Sequence, residues 1–292
     1  MSKIAFSPIQ DTFALEVTGE NLHRPDQEQI AAMKREWASA GVLVFRRLAL
    51  STSELLDFSK HFGTPETVIR KDWLARNSSH VTIMTNMLDG SGKGIGMPGT
   101  RDVFWHTDQS YMPKPATGAV LQAIEVPEKG GSTYWVNLQA AYDRLPQDLA
   151  KIVEDKHAIY DYEERLKRYD PKNRVMSEEV RKSIPPPITH PLVNVHPVTG
   201  KKCLYFDPST TSGVVGMSDE DGRELLAELA RIATAEDQVY RHDWRLGDVV
   251  MWDNAFLLHR RDEFDGADVR FMKRTTLTLP EETHITLQGS PL

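Results

Sequence analysis

Short apolar runs bounded by glycine, proline or asparagine recur along this chain of 292 residues. The run 42–45 is apolar at every position, which is typical of a short strand buried on both faces. Other runs of strand length lie at 13–19, 118–126, 132–136, 192–195, 203–206, 248–252, 255–259 and 270–279. Many short strands separated by turn residues predict a β-sandwich or barrel as the core of the fold.

Stretches whose apolar residues have helical spacing lie mainly near the N-terminus. The stretch 26–41 places its apolar residues on one helical face and ends at a glycine. The next such stretch, 51–62, begins with Ser51 and Glu54 at the spacing of a capping box. A further single helix is predicted over 139–156. We interpret these helices as packing elements, so the expected fold is mainly β with flanking helices, of the α+β class.

The organisation of the chain predicts one domain. No change of composition marks a linker, so we expect the domain to span residues 1–292. Five glycines between 90 and 99 predict a mobile loop, and the surrounding segment 70–103 is a candidate active-site lid, with a plain surface loop as the alternative. The segment 157–190 is largely polar and rich in proline, which predicts a surface insert.

Charge and cysteine content narrow the class of protein. The formal net charge of −7 argues against nucleic acid or an anionic membrane as the main partner, but leaves an anionic small molecule open. Cys203 is the only cysteine, so an internal disulfide and cysteine-based metal centres are excluded within one chain. No run of 18 apolar residues and no cleavable leader stand out. These features predict a cytoplasmic protein that binds no membrane.

Candidate chemistry begins with His106 and Asp108. In a strand these two residues point to the same face, so they can supply two ligands to one divalent transition metal. His259 follows an apolar strand and the turn 252–254, and it can point inward as a third ligand. Two histidines and one carboxylate form the facial triad of non-heme Fe(II) oxygenases, but zinc hydrolases can use the same ligands. The triad alone therefore leaves the metal open, and a chance arrangement in a non-catalytic ligand-binding β-sandwich is a third possibility.

A wider pattern is similar to a known family. It comprises His106-Thr-Asp108, a gap of 150 residues (109–258), Trp252-Asp-Asn, His259 and Arg270-x-x-x-Arg274, supported by matching motifs at 41–45, 62–63, 130–133, 196–200 and 247–248. Taken in this order and spacing, the sequence resembles the taurine dioxygenase (TauD/TfdA) family of Fe(II)- and 2-oxoglutarate-dependent dioxygenases. The resemblance implies a double-stranded β-helix core of the jelly-roll or cupin-like type.

The resemblance also implies roles for the residues of the site. His106, Asp108 and His259 would bind Fe(II), and Thr133 and Arg270 would hold the distal carboxylate of 2-oxoglutarate, with O2 as the second cosubstrate. Arg274 would bind the anionic group of the substrate. The two arginines lie four positions apart on one predicted strand, so they share a face, and a buried guanidinium needs an anion. An ion pair with Asp or Glu is the structural alternative for both.

The substrate implied by the resemblance is a small organic anion, either a sulfonate or an aryloxyalkanoate or other carboxylate. Hydroxylation beside a heteroatom would lead to desulfonation or ether cleavage, with succinate and CO2 as co-products. The stretch 68–73 lacks the histidine and tyrosine of the taurine enzymes, which argues against taurine itself. Further candidate substrate contacts are Arg70, Lys71, Asp102, Phe104 and Tyr111. Members of the family are commonly dimers or tetramers, so a homo-oligomer is expected.

Overall fold

The computed structural model describes residues 3–10, 12–68, 71–169 and 184–292. The helices are α1 (Gln27–Ala40), α2 (Thr52–Lys60), α3 (Leu138–Asp143), α4 (Gln147–Val153), α5 (Tyr162–Tyr169) and α6 (Asp219–Ala233), with 3-10 helices at Lys71–Trp73 and Glu236–Gln238. The strands are β1 (Ile4–Pro8), β2 (Leu15–Gly19), β3 (Val42–Phe45), β4 (Thr64–Pro65), β5 (Val81–Thr85), β6 (Val103–His106), β7 (Gly118–Glu125), β8 (Thr133–Asn137), β9 (His157–Tyr160), β10 (Ile188–Pro191), β11 (Val193–Val195), β12 (Lys202–Leu204), β13 (Thr211–Val214), β14 (Tyr240–His242), β15 (Val249–Asp253), β16 (Leu257–Arg261), β17 (Phe271–Thr278) and β18 (Ser290–Pro291).

Two sheets pack face to face around the main hydrophobic core. The larger has the strand order β1-β2-β3-β15-β7-β17-β4, with β5 also paired to β17, and the smaller has the order β14-β8-β16-β6. Trp135 of β8 contacts Trp252 of β15 across the interface, with ring centroids 5.7 Å apart. Leu121, Leu257 and Met272 belong to the same buried cluster. The predicted mainly β fold with flanking helices is thereby confirmed.

The outer face of the larger sheet is covered by the first two helices. Val42 and Val44 of β3 belong to the cluster between the sheets, whereas Leu43 and Phe45 belong to the cluster beneath α1 and α2. The ring of Phe45 meets that of Phe58 on α2 at a centroid distance of 5.3 Å. This division confirms that the run 42–45 is buried on both faces, as expected for an interior strand between two layers.

The predicted boundaries of α1 and α2 are set by capping. Asp26 and Ser51 are the N-caps, and each forms a capping box with the residue three positions later. Gly41 follows α1 with a φ of 79°, a left-handed conformation that glycine adopts without steric cost. Both helices are therefore confirmed close to where their sequence signals place them.

The prediction of one continuous helix over 139–156 was wrong. The segment forms α3 and α4, and Pro146 stands at the N-cap of α4, because proline lacks the backbone N–H that a helix interior requires. Across the described ranges, none of the helices has both the length and the apolar character needed to cross a membrane.

The two ends of the expected insert 157–190 are strands. β9 and β10 pair with each other in a third sheet of order β13-β9-β10-β18, so an insert occupies at most 161–187. Within that span α5 is described and residues 170–183 lie outside the described part of the chain. The segment 70–103 contains a 3-10 helix and β5, and its action as a lid stays a prediction, as does a single domain over 1–292.

Candidate active site

His106, Asp108 and His259 meet at the end of the smaller sheet. β6 and β16 are antiparallel neighbours, and His106 lies directly opposite His259, with ring centroids 4.1 Å apart. The Nε2 atoms of the two histidines lie 4.0 and 3.8 Å from the carboxylate oxygens of Asp108. One ligand atom of each residue lies within 4.8 Å of the other two. Strand pairing thus brings together His106 and His259, which are 153 positions apart in the chain.

The protonation of these side chains suits metal binding. Nδ1 of His106 lies 2.7 Å from the carbonyl oxygen of Phe104, so Nδ1 donates its proton there and Nε2 keeps a free lone pair. Burial lowers the pKa of both histidines, and for His259 the adjacent His106 lowers it further, which keeps the imidazoles neutral. Burial alone would raise the pKa of the Asp108 carboxyl, but the Arg274 guanidinium and the histidines outweigh it and hold that pKa below its usual range.

The donor set fits Fe(II). Two neutral imidazoles and one ionised carboxylate are the ligand set of non-heme Fe(II) oxygenases, and they would leave coordination positions for further ligands. All three side chains are largely shielded from solvent, so a bound ion would be held with little competition from bulk water.

A buried carboxylate fixes the turn that carries Asp108. Asp207 accepts hydrogen bonds from the backbone N–H of Thr107 at 3.4 Å and from the hydroxyl of Ser110 at 2.5 Å. Thr107 also donates through Oγ1 to the carbonyl oxygen of Asn254 at 2.7 Å, which ties this turn to the turn after β15. Residues on both sides of Asp108 are therefore anchored, which restricts the position of its carboxylate.

A cavity of about 600 Å³ opens beside the triad, and Thr133, Arg270 and Arg274 line it. Arg270 is only 4% exposed, and no carboxylate of the described residues forms an ion pair with it. Burial, with a smaller contribution from the charge of Arg261, lowers the pKa of Arg270 to about 9. A buried guanidinium without a protein counter-ion is a binding group for an external anion.

Arg274 differs from Arg270 in having an acidic partner. Its guanidinium hydrogen-bonds to Asp108 and lies 5.5 Å from the ring centroid of Trp252. The alternative of an ion pair with an acidic side chain therefore describes Arg274 but not Arg270. Both guanidiniums line the same cavity. This is expected from their spacing of four residues, which places them on one face of β17 and the residue before it.

The other predicted substrate contacts are placed unevenly. Asp102 lines the cavity, and its Oδ1 accepts a hydrogen bond from the backbone N–H of Glu263 at 2.7 Å. Phe104 is 45% exposed, and neither it nor Tyr111, which packs against Tyr162, is among the described residues that line the cavity. Lys71 is exposed on a 3-10 helix and is not among the described residues that line the cavity, and Arg70 lies outside the described residues.

Four arginines that line the cavity were missed from the sequence: Arg101, Arg165, Arg260 and Arg261. Arg165 lies on α5 and donates to the hydroxyl of Ser209 at 3.1 Å. Arg261, two residues after His259, donates to the carbonyl oxygens of Gly99 and Arg101 and so holds the end of the candidate lid. No local pattern marks Arg165. Arg261 did carry a local signal, because it lies two residues after His259 on β16 and so shares a strand face with it.

The sequence pattern described as "Taurine catabolism dioxygenase TauD, TfdA family" matches residues 5–276. The chain belongs to the TauD/TfdA family. One TauD/TfdA relative, an alpha-ketoglutarate-dependent 2,4-dichlorophenoxyacetate dioxygenase of Cupriavidus pinatubonensis, is 32% identical over 94% of this chain and 98% of its own length. An alpha-ketoglutarate-dependent sulfate ester dioxygenase of Pseudomonas putida is 31% identical over 62% of each chain. The crystal structure of AAD-2 in complex with Mn(II) and N-oxalylglycine aligns with a TM-score of 0.78 and 28% identity, covering 97% of this chain and 100% of that one.

Membership of the TauD/TfdA family confirms the predicted class of enzyme. The protein is an Fe(II)- and 2-oxoglutarate-dependent dioxygenase (alpha-ketoglutarate is the older name for 2-oxoglutarate). The double-stranded β-helix core implied by the resemblance is confirmed by the alignment with AAD-2 over nearly the whole chain. Neither the zinc hydrolase nor the non-catalytic binding protein finds support among these relatives.

A glycine next to Arg270 gives a testable prediction for the TauD/TfdA cavity. Gly131 has a φ of 69°, and a Cβ there would lie 3.4 Å from Cδ and Nε of Arg270 and 3.0 Å from Cγ of Pro127. In Gly131→Ala, we expect the strain of a left-handed alanine and its close approach to Pro127 to shift this turn against Arg270. The Kd for 2-oxoglutarate should then rise about tenfold, since misplacing one charge-assisted hydrogen bond costs roughly 1.4 kcal/mol. Isothermal titration of the Mn(II)-loaded protein measures this.

Gly200→Ala is the matched control. Gly200 has a similar φ of 65° but no neighbouring atom within 4 Å of a Cβ, so it carries the same backbone strain without touching Arg270. A loss of affinity for 2-oxoglutarate in both variants would assign the effect to general strain and contradict the prediction.

Proposed function

We propose that this dioxygenase hydroxylates a small organic anion with an aryl or alkyl body, such as an aryloxyalkanoate, a sulfonate or a sulfate ester. The position of Arg274 carries this proposal: its guanidinium lies in the cavity and touches the metal-ligand candidate Asp108. An anionic group held by Arg274 has its nearest C–H bonds beside the metal position. Oxidation of the carbon next to an ether oxygen or a sulfur-bearing group gives an unstable product that breaks into two parts.

Each group of residues has a distinct part in this reaction. We infer that His106, Asp108 and His259 hold Fe(II), and that Thr133 and Arg270 hold the distal carboxylate of 2-oxoglutarate. When bound, Fe(II) and 2-oxoglutarate supply the O2-dependent oxidation of a C–H bond, with succinate and CO2 as co-products. The residues of the chain orient both anions and exclude water from the space between them.

The lining of the cavity supports a substrate with an apolar body. Apolar side chains line the cavity together with the arginines, and they include Met84, Met97, Leu121, Trp252 and Phe264. Such a wall favours an aromatic ring or an alkyl chain over a polar remainder, because apolar area is removed from water on binding. The relatives named for 2,4-dichlorophenoxyacetate and for sulfate esters act on anions of this kind.

A panel of paired substrates tests the proposal. Phenoxyacetate, an alkylsulfonate and an alkyl sulfate ester are each supplied with Fe(II), 2-oxoglutarate and O2, and succinate is measured with the released phenol, sulfite or sulfate. Phenoxyethanol is the matched neutral compound. We expect an anion to be turned over and its neutral counterpart to be poor, and Arg274→Leu to reduce that preference. Equal turnover of phenoxyethanol and phenoxyacetate would overturn the proposal.

We also propose that the enzyme acts in the cytoplasm as a dimer or tetramer. The resemblance to oligomeric family members supports the oligomer, and light scattering after size-exclusion chromatography measures its mass. A mass equal to the 33.1 kDa of one chain at micromolar concentration would contradict it.

A further inference from the structure

The hydroxyl of Thr133 has one hydrogen bond whose direction is certain. Nε1 of Trp244 lies 2.9 Å from Oγ1 of Thr133. An indole N–H can only donate, so the threonine oxygen is the acceptor and its own proton must point to another acceptor. No acceptor for that proton is found among the described residues, and the side chain lines the cavity that also contains Arg270. The free O–H of Thr133 and the guanidinium of Arg270 are therefore both available to one anion.

The indole of Trp244 is itself held in place from behind. Its ring meets the ring of His242 edge-on at a centroid distance of 4.5 Å. Nδ1 of His242 is hydrogen-bonded to the hydroxyl of Tyr240 at 2.8 Å, and Nε2 lies 3.3 Å from the carboxylate of Asp248. Asp248 is fully buried and paired with Arg46 at 2.5 Å. This chain of contacts restricts the indole to one orientation.

The backbone strengthens the same arrangement. β14 pairs with β8 so that His242 lies directly opposite Thr133. The residue that supports Trp244 and the residue that accepts its hydrogen bond are thus fixed relative to each other by the sheet. Trp244 itself lies two residues past β14, so its orientation depends on these fixed neighbours.

We propose that Trp244 is a positioning residue of the 2-oxoglutarate site. Its N–H occupies a lone pair of the Thr133 oxygen and thereby directs the Thr133 proton at the distal carboxylate that Arg270 also binds. Without Trp244 the hydroxyl is free to rotate, and part of its hydrogen bond to the carboxylate is lost. The inference rests on the proposed role of Thr133, and the experiment separates the two.

The test is a double-mutant cycle on cosubstrate affinity. Calorimetry measures the Kd of the Mn(II)-loaded protein for N-oxalylglycine, an analogue of 2-oxoglutarate, in wild type, Trp244→Phe, Thr133→Val and the double variant. We expect Trp244→Phe to raise the Kd about three- to tenfold and Thr133→Val about tenfold or more. In the Thr133→Val background, Trp244→Phe is expected to add nothing, because the hydroxyl it would orient is absent. Thr133→Ser keeps the hydroxyl and should keep both the affinity and its dependence on Trp244.

Trp37→Phe is the matched control. Trp37 is fully buried on α1 in the cluster beneath α1 and α2, and its indole N–H donates to the carbonyl oxygen of Gly41 at 2.9 Å. Its substitution removes an indole hydrogen bond away from the cavity, so we expect a lower thermal midpoint and an unchanged Kd.

The possible outcomes are distinguishable. If Thr133→Val leaves the Kd unchanged, the proposed role of Thr133 fails and the role of Trp244 fails with it. If Thr133→Val weakens binding but Trp244→Phe has the same effect in both backgrounds, Trp244 acts through packing and only the positioning role is overturned.

A second measurement avoids any change at Trp244, in case Trp244→Phe does not fold. The indole ¹H–¹⁵N resonance of Trp244, assigned by its nuclear Overhauser contacts to His242, should move upfield in Thr133→Val and stay in place in Thr133→Ser. An unmoved resonance in Thr133→Val would show that the hydrogen bond does not form in solution and would overturn the inference.

Discussion

Asp108→Ala is expected to abolish Fe(II)-dependent formation of succinate, with a loss of at least about a thousandfold in turnover. The carboxylate of Asp108 lies within 4 Å of both histidine Nε2 atoms and is the only anionic member of the triad. Its removal leaves two neutral imidazoles to hold a divalent cation in a buried place. A metal contributes several kcal/mol to catalysis of this kind, and each 1.4 kcal/mol is about a factor of ten in rate.

The measurement is succinate release at saturating 2-oxoglutarate, together with calorimetry of Mn(II) binding. Asp148→Ala is the matched control. That carboxylate is 97% exposed on α4, and its ion-pair partner is Lys151 rather than a residue of the triad. Wild-type Mn(II) affinity in folded Asp108→Ala would mean that the metal is held elsewhere, and the assignment of the triad would have to be abandoned.

Local features of the sequence were enough to predict the core of the fold. The caps at Asp26 and Ser51 and the apolar run 42–45 are signals that lie within a few residues of the structure they determine. His106 and Asp108 could be paired from their spacing alone, although the strand expected to hold both ends at His106 and Asp108 lies in the turn that follows. His259 could be joined to them only through the wider pattern of the family, because the pairing of β6 with β16 is a long-range contact.

Features of the site that depend on tertiary contacts could not be predicted from the sequence. Arg165 reaches the cavity because α5 leaves β9 in that direction, and no periodic pattern in a polar segment reports such a path. The hydrogen bond from Trp244 to Thr133 joins residues 111 positions apart. The break at Pro146 is different, because proline is a local signal that outweighs the continuing helical spacing of the apolar residues around it.

Arg270, which immediately precedes β17, and Arg274, which lies on β17, differ in how strongly each can bind an anion in the cavity. Arg274 already shares its charge with Asp108, so its affinity for a substrate anion is reduced by that partner. Arg270 has no such competitor among the described residues, and its charge is buried. Because its charge has no acidic partner, Arg270 suits the cosubstrate, which must remain bound through each turnover. Arg274, whose charge is partly neutralised by Asp108, suits a substrate that must leave as product.

Arg270→Leu should therefore raise the Kd for 2-oxoglutarate by about a hundredfold or more. Truncating one partner of a buried charge-assisted pair costs roughly 2–5 kcal/mol, and 1.4 kcal/mol is a factor of ten in Kd. Leucine fills part of the space without a charge, and Arg270→Lys should retain part of the affinity because it keeps a donor but not the planar fork. Calorimetry with N-oxalylglycine on the Mn(II)-loaded protein gives the values, and Arg223→Leu on the exposed face of α6 is the control.

Thermal unfolding of Arg270→Leu separates a binding role from a structural one. An unpaired buried charge destabilises the protein by itself, so without cosubstrate the variant should melt at or above the wild-type temperature. With saturating N-oxalylglycine the wild type should gain stability in proportion to the logarithm of ligand concentration over Kd, and the variant should gain little. A variant that melts well below the wild type without ligand, yet still binds N-oxalylglycine with wild-type affinity, would identify Arg270 as a structural residue and remove it from the cosubstrate site.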